Sequence, residues 1–285
     1  MISLEGVEMI KRILAIVKNY LTRKKIYIKF SSINYGQVLK GKRIVVTGGS
    51  RGLGYAIAQK FVNEGAEVLI TGRNENTINE AQKKIGDLCK GIVHDMTDIE
   101  HMDGFIVEAE RLLGGTIDVL VCNAGISLHE SSILGVTQEG FETQFKTNLE
   151  GAFFLAKSFL NRIDSEDEYM DKSILFISSE RGKQCDDVPY GLTKVALNSL
   201  TQGISRRFYR RGVRCNALAP GITASDMTNI SPDADLYTDR IASGRYFVPE
   251  EVAEVAMFLV SDASKCISGE IITCDGGEFI SSYIK

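Results

Sequence analysis

The feature that most constrains the fold is an alternation of short apolar runs with segments of helical periodicity, which begins near Lys42. Runs such as RIVVT at 43–47 and IDVLVC at 117–122 are nearly continuous in apolar residues. Strands of this kind are buried on both faces, as they are in a parallel sheet covered by helices on both sides. The chain is therefore predicted to be an α/β protein with a doubly wound parallel β-sheet.

The alternation predicts seven strands and five main helices. The strands are expected at 43–47, 67–71, 91–95, 117–122, 173–178, 213–217 and 270–273. The helices are expected at 54–63, 76–85, 141–161, 190–210 and 249–260. Together they form one predicted domain over residues 41–285, long enough to bury a sizeable core.

Residues 1–40 form a separate extension with a basic composition. They carry eight Lys or Arg and two Glu, whereas the whole chain has a formal net charge of -4. An amphipathic helix is predicted over 4–22, because apolar residues recur there at helical spacing, namely Ile10, Ile13, Leu14, Val17 and Leu21. The alternating residues Ile26, Ile28 and Phe30 predict an edge strand, and 31–37 a linker.

The extension is interpreted as an appendage that packs on the body or at a subunit interface. Attachment to the surface of an acidic membrane is the less favoured alternative, since the helix is both basic and amphipathic. No apolar run reaches the roughly 20 residues that a membrane span needs. The start of the chain does not resemble a signal peptide, because Glu5 and Glu8 precede the apolar run and Lys11 and Arg12 interrupt it.

Composition argues against several other classes of function. The acidic net charge gives no reason to expect a nucleic-acid partner. The six cysteines form no CxxC pair and have no His cluster beside them, so no metal site is expected. Reduced thiols of this kind are typical of a cytoplasmic protein.

A glycine-rich segment, VVTGGSRGLG at 45–54, falls where the first strand meets the first helix. Gly48, Gly52 and Gly54 allow a tight turn, a close backbone approach and close packing of helix on strand. The N-terminus of the helix then presents N–H groups and a positive dipole end to a pyrophosphate. In this strand-to-helix context the segment predicts a dinucleotide-binding site of the Rossmann-fold kind.

Tyr190 and Lys194 are four residues apart in a predicted helix and therefore share a face. A cation held beside a phenol favours the phenolate and lowers a pKa that is about 10 in model compounds. A tyrosine tuned in this way exchanges a proton with a carbonyl or an alcohol. Ser179, at the end of the fifth strand, is placed to hydrogen-bond the same substrate oxygen.

These motifs together resemble the short-chain dehydrogenase/reductase family, and within it the 3-oxoacyl-carrier-protein reductases. The resemblance covers about residues 41–277 and rests on TGGSRGLG at 47–54, VCNAG at 121–125, YGLTK at 190–194 and NALAPGITASDM at 216–227. It implies four catalytic residues: Asn148, Ser179, Tyr190 and Lys194. Cys122 departs from the family pattern, which has Asn there, and the segment between Ser179 and Tyr190 is slightly short.

The resemblance also implies which residues bind the cofactor. They are Gly48, Ser50, Arg51, Gly52, Leu53, Gly54, Arg73, Asp95, Met96, Asn123, Ala124, Gly125, Tyr190, Lys194, Pro220, Gly221, Ile222 and Thr223. NADP(H) is expected in preference to NAD(H), because Thr71 and Gly72 stand where NAD-binding members place a carboxylate. Arg51 and Arg73 are available to a 2′-phosphate instead. Residues 224–246 are expected to form the substrate lid.

The predicted reaction interconverts a carbonyl and a secondary alcohol by hydride transfer, with Tyr190 as general acid or base. Two alternatives remain: a nucleotide-sugar epimerase or dehydratase of the extended family, and a non-catalytic dinucleotide-binding sensor or scaffold. The substrate is predicted to be a small molecule, since an acidic run at 164–171 disfavours an acidic carrier protein. A homo-oligomer, tetramer or dimer, is expected to pair through the helices at 141–161 and 190–210.

Overall fold

A seven-stranded parallel sheet forms the centre of the protein. The structure is a computed structural model that describes residues 4–22, 25–28, 35–162, 169–239 and 241–278. In spatial order the strands are Cys89–Val93 (β3), Glu67–Gly72 (β2), Arg43–Val46 (β1), Val119–Cys122 (β4), Lys172–Ile177 (β5), Val213–Pro220 (β6) and Ile271–Cys274 (β7). The predicted α/β class is confirmed, and the order reverses direction between β1 and β4, where such sheets leave a crevice for a ligand.

Helices cover both faces of the sheet. Their bounds are Leu4–Thr22 (α1), Gly52–Asn63 (α2), Glu75–Ile85 (α3), Met102–Leu113 (α4), Gln138–Phe145 (α5), Gly151–Arg162 (α6), Pro189–Phe208 (α7) and Pro249–Val260 (α8). Side chains of α2, α3 and α8 pack in one core layer, and those of α4, α6 and α7 in the other. Successive residues of β1 enter opposite layers: Ile44 and Val46 face the first and Val45 the second. This alternation explains why the strands read as apolar throughout.

The sequence placed most elements of residues 41–285 to within three residues, with two exceptions there. The helix predicted at 141–161 is divided, because a π-helical segment at Lys146–Glu150 separates α5 from α6. Gly151 lies so close to the chain after β3 that a Cβ atom there would sit 2.3 Å from the carbonyl oxygen of Met96. Helix α4 was missing from the predicted set, and the helix predicted at 190–210 ends at Phe208 with a 3₁₀ turn after it.

The extension contains the predicted helix, but the helix exposes its apolar side. Among the described side chains, Met9, Leu14 and Leu21 are 61%, 61% and 75% exposed. The described apolar side chains of α1 therefore do not pack on the body of the same chain, and a subunit interface stays a prediction. No helix in the described part of the chain is long and apolar enough to cross a membrane.

The edge strand predicted at 26–30 was wrong where the structure describes it, since residues 25–28 pair with a loop and not with the sheet. The amide of Leu236 donates to the carbonyl of Ile26 at 2.9 Å, and the amide of Ile26 donates to Asp235 Oδ1 at 3.0 Å. Ile28 packs against a small cluster that contains Leu236 and Val248. Phe30 and the first part of the predicted linker, 31–34, lie outside the described residues.

Residues 35–41 attach the start of the body to α2. Leu39 is fully buried in the first core layer, and the amide of Tyr35 donates to Glu64 Oε1 at 3.1 Å. The same oxygen of Glu64 accepts from the ammonium of Lys60 at 3.0 Å. Because this ammonium also pairs with Glu254 of α8 at 3.0 Å, a buried charge network joins α2, α8 and the incoming chain.

Candidate active site

The turn between β1 and α2 depends on glycine at two kinds of position. Gly48 and Gly52 adopt φ values of +64° and +55°, which residues with a side chain rarely adopt. At Gly54 the constraint is space, since a Cβ atom would lie 2.4 Å from both the Gly48 carbonyl oxygen and Asn123 Nδ2. The helix that follows has no side-chain cap and no acidic residue in its first turn. Its first N–H groups are thus left for an anion.

Hydrogen bonds join this turn to the segment that follows β4. Thr47 Oγ1 accepts from the amides of Asn123 at 3.0 Å and Ala124 at 3.1 Å. In return, Asn123 Nδ2 donates to the carbonyls of Thr47 at 2.8 Å and Gly48 at 3.1 Å. Asn123 therefore acts through the backbone of the glycine turn, and Thr47, which the sequence singled out only as the start of the motif, is its partner.

A cleft of about 580 Å³ lies at the carboxyl ends of the central strands. It brings together most of the residues predicted from sequence: Gly48, Ser50, Arg51, Gly52, Leu53, Gly54, Arg73, Asp95, Met96, Asn123, Ala124, Gly125, Ser179, Tyr190, Lys194, Pro220, Gly221 and Thr223. Asn148 and Ile222 are not among the lining residues. Sequence reasoning missed others that do line the cleft, namely His94, Ile126, Ser127, His129, Thr147, Ile177 and Ser178.

The missed lining residues are neighbours in sequence of residues that were predicted, so a wider window around each motif would have included them. Residues 225–229 also line the cleft and belong to the predicted lid. Ser225 begins a short 3₁₀ turn, and its amide donates to Thr228 Oγ1 at 3.1 Å. The lid therefore approaches the cleft through a locally ordered turn.

Helix α7 carries Tyr190 in its first turn and Lys194 one turn later. Lys194 is 4% exposed, and its Nζ donates to the carbonyl of Ile177 at 2.9 Å. The same Nζ lies 5.5 Å from the centre of the Tyr190 ring. Burial disfavours the charged ammonium and lowers the pKa of Lys194 to about 8.

The expected lowering of the Tyr190 pKa toward neutrality was wrong for the chain without ligand. Burial of the phenol raises this pKa above its ordinary value, while a hydrogen bond from Ser179 and the charge of Arg181 oppose the rise. Removal of the phenol from water penalises the phenolate more than Ser179 and Arg181 stabilise it, and the charge of Glu180 adds to the rise. Tyr190 is therefore a neutral phenol at pH 7.

The segment between Ser179 and Tyr190 is closed by an ion pair. Arg181 Nε lies 2.6 Å from Asp186 Oδ2, and Arg181 Nη2 donates to Asp186 Oδ1 at 2.7 Å. Asp186 Oδ1 also accepts from the amide of Val188 at 3.1 Å. The Asp186 side chain is 4% exposed, and its carboxylate packs on Gly191, where a Cβ atom would lie 1.9 Å from it. The paired charges thus fix a short loop against the start of α7.

Glu180 adds a carboxyl group beside Ser179 that no sequence motif indicated. Burial, followed by repulsion from Asp275 and Glu278, raises the pKa of Glu180 to about 7. Protonated and ionised forms therefore coexist near neutral pH. Glu180 is not among the residues that line the cleft; its Oε2 lies behind Gly221, where a Cβ atom would be 3.2 Å from it.

Asn148 lies behind the cleft, in the π-helical segment. Its Oδ1 accepts from the amide of Ile126 at 2.8 Å, and its Nδ2 donates to the carbonyl of Ile126 at 2.9 Å and to Thr193 Oγ1 at 3.3 Å. The side chain thus ties the segment after β4 to α7. A π-helical bulge is frequent at functional sites, because it turns a side chain out of the regular helical register.

The geometry defines a nucleotide-binding α/β enzyme with a glycine-rich turn at one end of its cleft and a tyrosine, serine and lysine in one wall. The family model of enoyl-(acyl carrier protein) reductase matches residues 48–278. The chain is 34% identical over 249 residues to a 3-oxoacyl-[acyl-carrier-protein] reductase of Aquifex aeolicus, covering 85% of this chain and 98% of that protein. It is 31% identical over 250 residues to gluconate 5-dehydrogenase of Gluconobacter oxydans, covering 85% and 96%.

Solved structures agree with these sequence matches. The crystal structure of a 3-ketoacyl-(acyl-carrier-protein) reductase from Brucella melitensis, complexed with NADH, superposes with a TM-score of 0.78 at 25% identity. The match covers 85% of this chain and 99% of that one. The chain belongs to the short-chain dehydrogenase/reductase family, as its motifs predicted, and is an oxidoreductase of carbonyl and alcohol groups that uses a nicotinamide cofactor.

The burial of Lys194 predicts a gain of stability when this residue is replaced. Below pH 8 the lysine is protonated in both the folded and the unfolded chain, so the folded state bears the full desolvation cost. Between pH values of about 8 and 10.5 the unfolded chain binds more protons, so this cost is lost as pH rises. Lys194→Met is expected to raise the free energy of unfolding by about 2 kcal/mol at pH 7.

Urea unfolding at pH 7 and at pH 10 measures this effect, and the gain is expected to shrink at the higher pH. Lys84→Met, on the exposed side of α3, is the matched control, with a change of less than about 1 kcal/mol at either pH. A Lys194→Met protein no more stable than the wild type at pH 7 contradicts the assigned cost.

Proposed function

We propose that the enzyme is an NADP(H)-dependent oxidoreductase that interconverts a carbonyl and a secondary alcohol, with Tyr190 as general acid and base. The observation that carries the proposal is the common position of Tyr190, Ser179 and Lys194 in one wall of a cleft whose other end is the glycine turn. Positive φ at Gly48 and Gly52 and the uncapped start of α2 fit the pyrophosphate of a dinucleotide. When bound, the nicotinamide supplies or accepts the hydride.

The phenol of Tyr190 is the proton carrier in this mechanism. Its raised pKa keeps it protonated at neutral pH, which is the form that donates to the oxygen of a carbonyl undergoing reduction. The hydroxyl of Ser179 hydrogen-bonds the same oxygen and orients it. In the reverse direction Tyr190 must first lose its proton, so oxidation of an alcohol is favoured at higher pH.

Lys194 supports Tyr190 in two ways. Its Nζ is anchored by the carbonyl of Ile177, so the charge is held near the phenol and a ribose hydroxyl in the cleft. With a pKa of about 8, it exchanges protons near physiological pH and can return a proton to Tyr190. Asn148 is a positioning residue, because its amide holds the backbone of Ile126 on the cleft wall. A role of Asn148 in a water-linked proton relay is proposed from the family resemblance alone.

Selection of NADP(H) is proposed from the residues at the end of β2. Thr71 is buried and its Oγ1 accepts from the amide of Gly48, while Gly72 has no side chain. No carboxylate stands at either position to bind a ribose 2′-hydroxyl. Arg73 and Arg51 are exposed at this end of the cleft and are available for a 2′-phosphate.

Two acidic residues near these arginines do not offset their charge. Asp226 pairs with Arg51 at 3.4 Å, but both side chains are 72% exposed, and such pairs contribute little. Glu75 is the first residue of α3, after the cap residue Asn74, and does not line the cleft. Asp226 is thus weakly paired and Glu75 lies outside the site, whereas Asp95 lines the cleft within electrostatic reach of Arg73.

The substrate is proposed to be a small carbonyl compound or secondary alcohol. The named relatives act on substrates as different as a carrier-protein thioester, gluconate and a hydroxysteroid, so the family alone does not select one. The acidic run expected to disfavour a carrier protein lies partly outside the described residues. The epimerase alternative is disfavoured by the TGxxxGxG spacing of Thr47–Gly54, because the extended family shares the tyrosine and lysine but usually has GxxGxxG. The sensor alternative is disfavoured because Ser179, Tyr190 and Lys194 are all present in the cleft wall.

A homo-oligomer is proposed from an apolar groove on the opposite side of α7 from the sheet. The groove has a volume of about 700 Å³ and is lined by Phe141, Glu142, Phe145, Lys146, Leu149, Glu150, Phe153, Phe154, Ala196, Ser199 and Leu200. Phe141 and Phe153 are 40% and 44% exposed there. Clustered exposed aromatic residues mark an interface, and a second copy provides the matching surface.

Replacement of Tyr190 tests the proposed chemistry. Tyr190→Phe removes the transferable proton and keeps the ring, so turnover is expected to fall at least about 10²-fold with NADPH affinity nearly unchanged. The assay is a cofactor-coupled screen over alcohols and ketones, with NADPH binding measured by fluorescence. Tyr209→Phe, an exposed tyrosine on the same stretch of chain, is the control. Turnover of Tyr190→Phe within a few-fold of wild type excludes Tyr190 as the proton donor.

Cofactor choice is tested at Arg73. Arg73→Ala is expected to weaken NADPH binding about ten- to hundredfold, since a charge-assisted contact contributes roughly 1.5–3 kcal/mol. NADH binding is expected to change much less, because it has no 2′-phosphate. Arg111→Ala, on the outside of α4, leaves both affinities unchanged. Equal or better catalytic efficiency of the wild-type enzyme with NADH rejects the assignment.

The proposed interface is tested by a charge on the groove. Phe153→Glu is expected to reduce the molar mass in light scattering at micromolar concentration, because a buried unpaired carboxylate opposes association. Leu88→Glu, beside the edge strand β3, places the same charge on a different surface and is expected to keep the oligomer. A wild-type protein of monomeric mass contradicts the proposal outright.

A further inference from the structure

Helix α1 presents a continuous apolar stripe that nothing in the described chain covers. Five of its apolar side chains, on successive turns, are about half exposed or more: Ile10 at 48%, Ile13 at 52%, Leu14 at 61%, Val17 at 46% and Leu21 at 75%. With Met9 they occupy an arc of roughly 140° when successive residues are placed 100° apart. This is wider than the narrow seam of a two-helix coiled coil.

Basic side chains stand at both borders of this stripe. At helical spacing Lys11 and Lys18 lie next to Leu14 on one side, and Arg12 lies beyond Met9 on the other. The centre of the polar face carries Glu8 and Thr22. Four further basic residues, Arg23, Lys24, Lys25 and Lys29, follow within seven positions of the helix end. Basic borders around an apolar face suit a position between acyl chains and phosphate groups.

We propose that α1 is a reversible surface anchor that lies in the headgroup region of an anionic lipid bilayer. The apolar stripe enters the boundary with the acyl chains, and the border lysines and arginine reach lipid phosphates. The helix lies on the bilayer and does not cross it. This interaction is independent of the reaction in the cleft.

A second copy of the chain fits this stripe less well than lipid does. Two such stripes facing each other bring basic borders against basic borders in either orientation, and like charges placed together oppose association. The apolar groove on α5, α6 and α7 is already suited to a twin of itself. A negatively charged surface attracts Lys11, Lys18 and Arg12 together, and these outnumber the one acidic residue at the borders, Glu5.

The tether between anchor and body is short and ends beside the lid. Only residues 23–24 separate Thr22 from Lys25, so the end of α1 lies within roughly 11 Å of the segment 25–28. That segment is bound to Asp235 and Leu236, whose loop continues from the cleft-lining residues 225–229. A bound bilayer therefore lies on the lid side of the enzyme.

Vesicle sedimentation with the full-length protein tests the anchor. The protein is expected to pellet with mixed phosphatidylglycerol and phosphatidylcholine vesicles at low salt, and much less at high salt or with phosphatidylcholine alone. Leu14→Gln with Val17→Gln is expected to lower the partition coefficient by more than tenfold. Thr22→Gln, the matched change on the polar face, is expected to bind as the wild type does.

A second variant tests the charges. Lys11→Gln with Lys18→Gln is expected to lower the partition coefficient by roughly 25-fold, about fivefold for each basic residue. All variants are expected to keep wild-type turnover without vesicles, since no described side chain of α1 lines the cleft or belongs to a core cluster. Unchanged binding of either double variant, or no vesicle binding by the wild type, overturns the proposal. A fall in oligomeric mass for Leu14→Gln with Val17→Gln also overturns it, because a second copy would then cover the stripe.

Discussion

Hydrogen bonds between the residues that follow β1 and those that follow β4 hold the two central strands together where their crossover helices leave in opposite directions. The two ends of the cleft both depend on this junction. The glycine turn needs it because Asn123 fills the space in front of Gly54, and the catalytic wall needs it because Ile126 follows three residues later and is held by Asn148. One set of hydrogen bonds thus positions both the cofactor end and the catalytic end of the site.

The same site contains buried groups that lower the stability of the folded protein. Lys194 is desolvated and donates to the uncharged carbonyl of Ile177, and the pKa of Tyr190 is raised by burial. Arg181 and Asp186, by contrast, are paired with each other in bidentate geometry, so the charges of the adjoining loop compensate one another. The two sets of charges therefore have different roles. The charges of the loop stabilise its conformation, whereas buried Lys194 keeps a proton near the phenol of Tyr190 and lowers the stability of the folded protein.

Local patterns in the sequence were sufficient for the sheet, for the glycine turn and for the pairing of Tyr190 with Lys194, because each depends on residues a few positions apart. The features that local patterns could not predict depend on contacts between distant segments of the chain. The π-helical break at Asn148 arises where Gly151 meets the backbone of Met96, and the direction of the Tyr190 pKa shift depends on how deeply α7 is buried. The pKa of Glu180 is likewise raised first by burial and then by repulsion from Asp275 and Glu278, almost a hundred residues away.

The extension at residues 1–40 is another case in which local sequence patterns predict an element but not what it contacts. Periodicity identified α1 as amphipathic, but not what its apolar side would contact, since a helix that packs on a protein and one that lies on lipid share the same period. Exposure of the stripe in the folded chain, together with basic residues at both its borders, favours lipid. Because segment 25–28 is hydrogen-bonded to Asp235 and Leu236, whose loop continues from the cleft-lining residues 225–229, the extension joins the body beside the predicted lid.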